Sequence, residues 1–261
     1  MVMDIRFDAV SKIWPDGTRA LDDVSFTVPA GQFCVLLGHS GAGKSTLLRC
    51  VNGLETSTGG AVQVGGQSVG PASLRALRRR IAMVHQHFAL VPRASGAANV
   101  MAGAVASLPL WRVLTGLYPT PLKHRVCELL QAVGLEEAHL VRRAERLSGG
   151  QQQRLGLARA FMLDPAIILA DEPVASLDPA ISHDVLSLLR SQARGRGTTV
   201  LCSLHQLDLA RAFADRVVAL HSGRIIFDGP PETLKGSDIS NIYTKSDASE
   251  AAVPLRLRFA I

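Results

Sequence analysis

Residues Phe33–Thr46 read "FCVLLGHSGAGKST", and the two halves ask opposite things of the backbone. "FCVLLG" (Phe33–Gly38) is an unbroken apolar run, the composition of a short strand buried on both faces. "GHSGAGKST" (Gly38–Thr46) is rich in glycine, and a helical pattern takes over from Lys44 to about Leu54. Strand, glycine turn and helix in this order fit GxxxxGK[ST] through Gly38, Gly43, Lys44 and Ser45. Such a turn brings the backbone N–H groups of Gly38, His39, Ser40, Gly41, Ala42 and Gly43 close to phosphate oxygens, and the helix behind it points its positive end at the same anion. Lys44 adds a full charge toward the β- and γ-phosphates of a nucleotide, and Ser45, next to Thr46, offers a hydroxyl to Mg²⁺.

A carboxylate pair completes that reading. "AIILADEP" sets Asp171 where an apolar strand emerges, with Glu172 beside it. Asp171 is suited to hold Mg²⁺ through water, and Glu172 to polarise an attacking water. Around these motifs the chain alternates. "IRFDAVSKIW" and "ALDDVSFTV" read as strands about the turn "PDGT", and "GGAVQVGGQSV" reads as a hairpin with glycine turns. "SLRALRRR" is a short basic helix and "IAMVH" a strand. From about Pro92 to Leu147 the pattern is helical, with Pro119 and Pro121 as breaks and Val126, Leu129, Leu130 and Val133 on one face. Strand and helix then alternate again through "TTVLCSL", "QLDLARAFA", "RVVAL" and "RIIFDG".

This order predicts an α/β fold with a mostly parallel sheet, a small antiparallel β subdomain and an inserted helical subdomain over about 92–163. Residues 4–235 make one domain. The tail 236–261 is read as an edge strand or a disordered end.

Composition narrows the class. The 261 residues are 47% apolar and 19% charged, enough for a sizeable core, and Lys plus Arg exceed Asp plus Glu by 28 to 22. A formal charge of +6 suits an anionic partner or a generally basic surface. Cys34, Cys50, Cys127 and Cys202 are scattered without zinc spacing, which fits a reduced compartment. The first ten residues show no apolar signal segment. "NVMAGAVASLPLWRVLTGLY" (Asn99–Tyr118) has the length of a membrane span, but Pro109 and Arg112 interrupt it, and it reads as a covered or partner-facing segment. The basic run Arg75–Arg80 has no aromatic partners, so a nucleic-acid role is not expected.

One further motif carries a family resemblance. "LSGGQQQR" (Leu147–Arg154) puts Gly149 and Gly150 at the start of a helical pattern, where each costs about 1 kcal/mol against alanine. Together with "GHSGAGKST" and "ILADEP", "LSGGQ" resembles the signature of the ATP-binding cassette ATPases, a branch of the P-loop NTPases. The resemblance spans about Ile5 to Leu234. It implies that Ser148, Gly149, Gly150 and Gln151 contact the γ-phosphate of ATP held by a second copy of the chain. It further implies that Gln86 touches Mg²⁺ and moves with a membrane partner, that "SLD" with Asp178 crosses the dimer interface, and that His205 hydrogen-bonds the γ-phosphate. Trp14 stands where the family stacks adenine on a tyrosine; it either stacks likewise or packs against the β subdomain. "RASGAANV" (Arg93–Val100) departs from the family's leucine-rich helix start.

"LRALRRRIAMVHQHFALVPR", "WRVLTGLYP" and "LHQLDLA" most resemble the ATP-binding subunit of phosphonate importers, a subgroup that also takes up phosphite and related oxyanions. That resemblance implies an ATPase with ATP and Mg²⁺, paired head to tail on the cytoplasmic face of the inner membrane. Its partners would be integral permease subunits and, indirectly, a solute-binding protein. The alternatives are an importer ATPase for another small solute such as an amino acid, and a soluble cassette ATPase outside transport.

Overall fold

The computed structural model describes residues 2–85, 89–175 and 177–243. Gln86, Ser176 and the segment 244–261 lie outside the described residues.

The chain opens with β1 (Ile5–Ile13) and β2 (Arg19–Val28), joined at "PDGT", where Asp16 accepts from the Thr18 amide at 2.9 Å. β3 (Phe33–Leu37) runs into the glycine loop and α1 (Lys44–Val51), which stops three residues short of the sequence expectation. The hairpin β4 (Gly59–Val64) and β5 (Gln67–Ser68) follows, then α2 (Leu74–Leu77) and β6 (Ile81–Val84). The helical insert contains α3 (Gly96–Met101), α4 (Leu110–Thr115), α5 (Thr120–Ala132), α6 (Ala138–Val141) and α7 (Gly149–Ala160). Alternation resumes with β7 (Ile167–Asp171), α8 (Pro179–Arg196), β8 (Thr199–Leu204) and α9 (Leu207–Phe213). The described chain closes with the antiparallel pair β9 (Arg216–His221) and β10 (Arg224–Gly229), and with α10 (Gly236–Tyr243).

Six strands form one sheet in the order β10-β9-β3-β8-β7-β6, and every pairing from β9 to β6 is parallel. β2, β1, β4 and β5 form a separate antiparallel sheet. β3 lies between two cores, which explains its unbroken apolar composition. Phe33, Val35 and Leu37 join the cluster built with the helices, while Cys34 and Leu36 join the cluster built with β1, β2 and β4. The register aligns the strand ends: Leu37 pairs with Leu204, Ser203 with Asp171, and Ala170 with Val84. The segments after β3, β7, β8 and β6 therefore leave the sheet along one edge, where α/β folds place ligands.

The insert packs onto the sheet's helical face: Val100, Val126, Leu129, Leu130 and Leu155 belong to the same buried cluster as Phe33 and Val35. Pro119 and Pro121, read as breaks, stand at the start of α5, where a missing N–H leaves no hydrogen bond unmade. "RASGAANV" does form a helix. Ser95 caps α3 by accepting from the Ala98 amide at 3.2 Å, and a Cβ on Gly96 would lie 2.2 Å from the His139 carbonyl oxygen. Asn99–Tyr118 is divided between α3, a 3₁₀ turn at Ala102–Ser107 and α4; among the described residues no helix is long and apolar enough to cross a membrane.

The tail is described only over its first eight residues. Gly236–Tyr243 is helical, while the alternating "PLRLRFAI" (254–261), the part read as an edge strand, lies outside the described residues. Ile239 and Ile242 fall three apart on one face, and Ile242 is fully buried.

Candidate functional site

The glycine loop is shaped by what surrounds it. A Cβ on Gly38 would lie 2.5 Å from the Leu220 carbonyl oxygen, and one on Gly43, at φ +103°, would lie 2.6 Å from that of Ala20. No side chain fits either place without moving backbone of β9 or β2. The tight turn leaves Ser40 and Gly41 exposed and buries Ala42, Gly43 and Lys44.

Lys44 is only 3% exposed, and a buried ammonium needs partners. It donates to the carbonyls of Gly38 at 2.8 Å and His39 at 3.0 Å, and it lies 3.9 Å from Glu172 Oε1. Burial pulls its pKa below the ordinary lysine value, while Glu172 and then Asp171 oppose that shift. His205 Nδ1 lies 3.0 Å from the Gly38 carbonyl oxygen and 3.3 Å from Lys44 Nζ, and His205 Nε2 pairs with Glu172 Oε1. Glu172 takes a left-handed backbone at φ +48°, and its N–H donates to Ser203 Oγ at 2.9 Å. Glu172 and His205 also line a cavity of about 90 Å³. Three separate strand ends thus bring a lysine, a glutamate and a histidine into mutual contact.

Ser45 Oγ donates to Asp171 Oδ1 at 2.8 Å, and Ser203 Oγ donates to the same oxygen at 2.8 Å. A hydroxyl beside a carboxylate is a hard-oxygen set that fits Mg²⁺, a cation that keeps most of its waters and needs few protein ligands. Sequence reading missed Ser203. Its signal was a lone hydroxyl near the end of the otherwise apolar "TTVLCSL". Tyr243 was also missed; its hydroxyl donates to the His205 carbonyl oxygen at 2.6 Å and ties α10 to the site.

The second motif lies on α7. Ser148 accepts from the Gln151 amide at 3.3 Å and Gln151 Oε1 accepts from the Ser148 amide at 3.0 Å, a reciprocal capping box. Gln151 Nε2 further sits 3.1 Å from His139 Nε2. Ser148 and Gly149 are exposed; Gly150 is buried, and its missing Cβ would come 3.1 Å from Ile181 Cγ2 of α8. Part of the glycine requirement is therefore helix packing. Asp178 caps α8 by accepting from the Ile181 amide at 3.0 Å.

Trp14 is half-exposed, with Lys12 Nζ 4.7 Å from its ring centroid; it is not buried in the β sheet. The Trp14–Thr18 turn leads into β2, whose Ala20 and Leu21 press against Gly43. Gln86 lies outside the described residues, but His85 and Ala89 flank it and line a cavity of about 380 Å³ with Arg78, Arg79 and Gly103.

A strand, glycine loop and helix, with an acid-tipped strand one place further along the sheet beyond β8, define a nucleotide-phosphate-binding protein of the P-loop class. The chain belongs to the ABC transporter family, whose model matches residues 21–175. It is 52% identical over 226 residues to the phosphonates import ATP-binding protein PhnC of Hyphomonas neptunium, covering 87% of each chain. It is 48% identical over 252 residues to the phosphite import ATP-binding protein PxtA of Stutzerimonas stutzeri, covering 95% of this chain and 90% of that one. Its fold is similar to the dimeric post-hydrolysis structure of the cassette MJ0796 bound to ADP and Pi: TM-score 0.76, 30% identity, 87% of this chain and 98% of that one.

Proposed function

We propose that this chain is the ATP-hydrolysing subunit of an importer for phosphonates, phosphite or related phosphorus oxyanions. It works as a head-to-tail pair against the cytoplasmic face of a membrane permease that a solute-binding protein supplies. The observation that carries the ATPase reading is the meeting of Lys44, Glu172 and His205 beside the Gly38 carbonyl. The substrate class rests on the phosphonate and phosphite import relatives at 52% and 48% identity.

The backbone of Gly38–Thr46 and the Lys44 ammonium receive the β- and γ-phosphates, and Lys44 exchanges its carbonyl partners for phosphate oxygens. Ser45 and Asp171 would hold Mg²⁺, which neutralises charge on the phosphates when bound. The family resemblance would add Gln86 as a further ligand to that ion. Glu172 orients the attacking water and His205 steadies the γ-phosphate, so catalysis is positioning and charge stabilisation. Ser148, Gly149, Gly150 and Gln151 of one copy, with its Asp178, cover the nucleotide of the other. Ser148 Oγ uses a lone pair for its cap and keeps its O–H free to donate to a phosphate oxygen. Trp14 stacks on the adenine. A permease segment seats in the groove beside His85 and Arg79.

Growth tests the substrate class. A strain lacking this chain should fail on a phosphonate or on phosphite as sole phosphorus source and grow normally on phosphate. Equal growth on all three overturns that class, and wild-type protein without Mg²⁺-dependent ATPase overturns the enzyme reading.

A further inference from the structure

α4 leaves four large apolar side chains in solvent. Leu110 is 71% exposed, Trp111 54%, Leu114 77% and Leu117, just beyond the helix, 63%. None of the six α4 residues is buried. Contiguous exposure on this scale marks an interaction site.

The sequence around α4 is one-sided in charge, although Arg125 at its far end pairs with Glu128 and Asp164. Between Glu55 and Glu128 the sequence has no carboxylate side chain, but it has Arg75, Arg78, Arg79, Arg80, Arg93, Arg112, Lys123 and Arg125. The other residues carry 20 Lys plus Arg (28 less these eight) against all 22 Asp plus Glu. The chain's positive excess therefore comes from the stretch that contains α4. Arg112 holds its guanidinium 5.1 Å from the Trp111 ring centroid, an aromatic and a cation at the same level. The basic groove formed with Arg78 and Arg79 includes Gly103 and Ala106 of the 3₁₀ turn that leads into α4.

We propose that α4 docks into the headgroup layer of an anionic lipid surface. The inference rests on the reading that the chain works beneath a membrane, and adds a direct contact that does not pass through the permease. Leu110, Trp111, Leu114 and Leu117 line none of the described cavities. Singly protruding leucines and a tryptophan suit a fluid interface, which needs no shaped complement. Trp111 and Arg112 supply the amphipathic pair favoured at headgroup depth, and the acid-free stretch supplies attraction to anionic lipid that weakens with salt.

The test uses the full chain with phosphatidylcholine vesicles, with or without about one-third phosphatidylglycerol. Wild-type protein should float with the anionic vesicles, less so in high salt. With Trp14→Phe removing the other tryptophan, Trp111 fluorescence should shift to the blue on binding. The double substitution Leu110→Asp with Leu114→Asp should lower the bound fraction at least about tenfold and leave ATPase in solution unchanged. Wild-type protein that hydrolyses ATP but stays off anionic vesicles overturns the lipid contact alone. So does equal flotation of the double variant, or binding seen only when permease is reconstituted in the vesicles. Absence of ATPase in the wild type overturns the parent reading instead.

Discussion

The glycine loop and the Leu147–Gln151 turn are both glycine-rich entries to helices, yet the molecule treats them differently. Gly38 and Gly43 are wedged against the carbonyls of Leu220 and Ala20, and Lys44 behind them is buried among groups from three strand ends. The turn at α7 has Ser148 and Gly149 in solvent, and its polar side chains cap their own helix. The loop is a finished half-site built by one chain. The turn is a stable helix start with an unused outward face. The lesson is that the glycines answer to different neighbours: backbone close by at the loop, and α8 at the turn, to which the proposed function adds an incoming phosphate.

Substitutions can break that comparison. The largest effect belongs to the finished side. Glu172→Gln should bind ATP normally and turn over at least about a hundredfold more slowly, on the scale of a lost general base; steady-state ATPase and nucleotide titration check it. Lys44→Ala should weaken ATP binding by about ten- to a hundredfold, as expected when charge-assisted hydrogen bonds are removed, read by equilibrium titration of the single chain. Ser148→Ala should do the reverse. Binding to one chain stays intact, turnover falls about tenfold, and thermal stability drops by about 1 kcal/mol from the lost cap. If Ser148→Ala weakened ATP binding to isolated chains, the division between the two motifs would fail. Trp14→Ala should raise KM about fivefold, with Trp14→Tyr near wild type, as stacking energies predict.

What could be read from the sequence follows from where each signal is local. β3 was legible because burial on both faces leaves no alternation to confuse, and Asp171 and Glu172 because they end such a strand. The capping roles of Gln151 and Asp178 are equally local, yet the resemblance ties Gln151 to the partner's nucleotide and Asp178 to the dimer interface without their caps. Ser203 stayed hidden because its importance comes from the register that sets it opposite Asp171. The sequence ties Gly150 only to a partner's γ-phosphate, because its contact with Ile181 is tertiary. α10 was missed because Ser237, Asp238, Ser240 and Asn241 outnumber the two isoleucines that anchor it, so the composition resembles a loop.

The account stands on the claim that two chains are needed to enclose one nucleotide. Sedimentation of Glu172→Gln with Mg²⁺ and ATP measures this directly. The account predicts a dimer that reverts to monomer when Ser148→Arg is added, because an arginine there would block the neighbour's phosphate site. A Glu172→Gln protein that remains monomeric with ATP bound, or a dimer that survives Ser148→Arg, would contradict it.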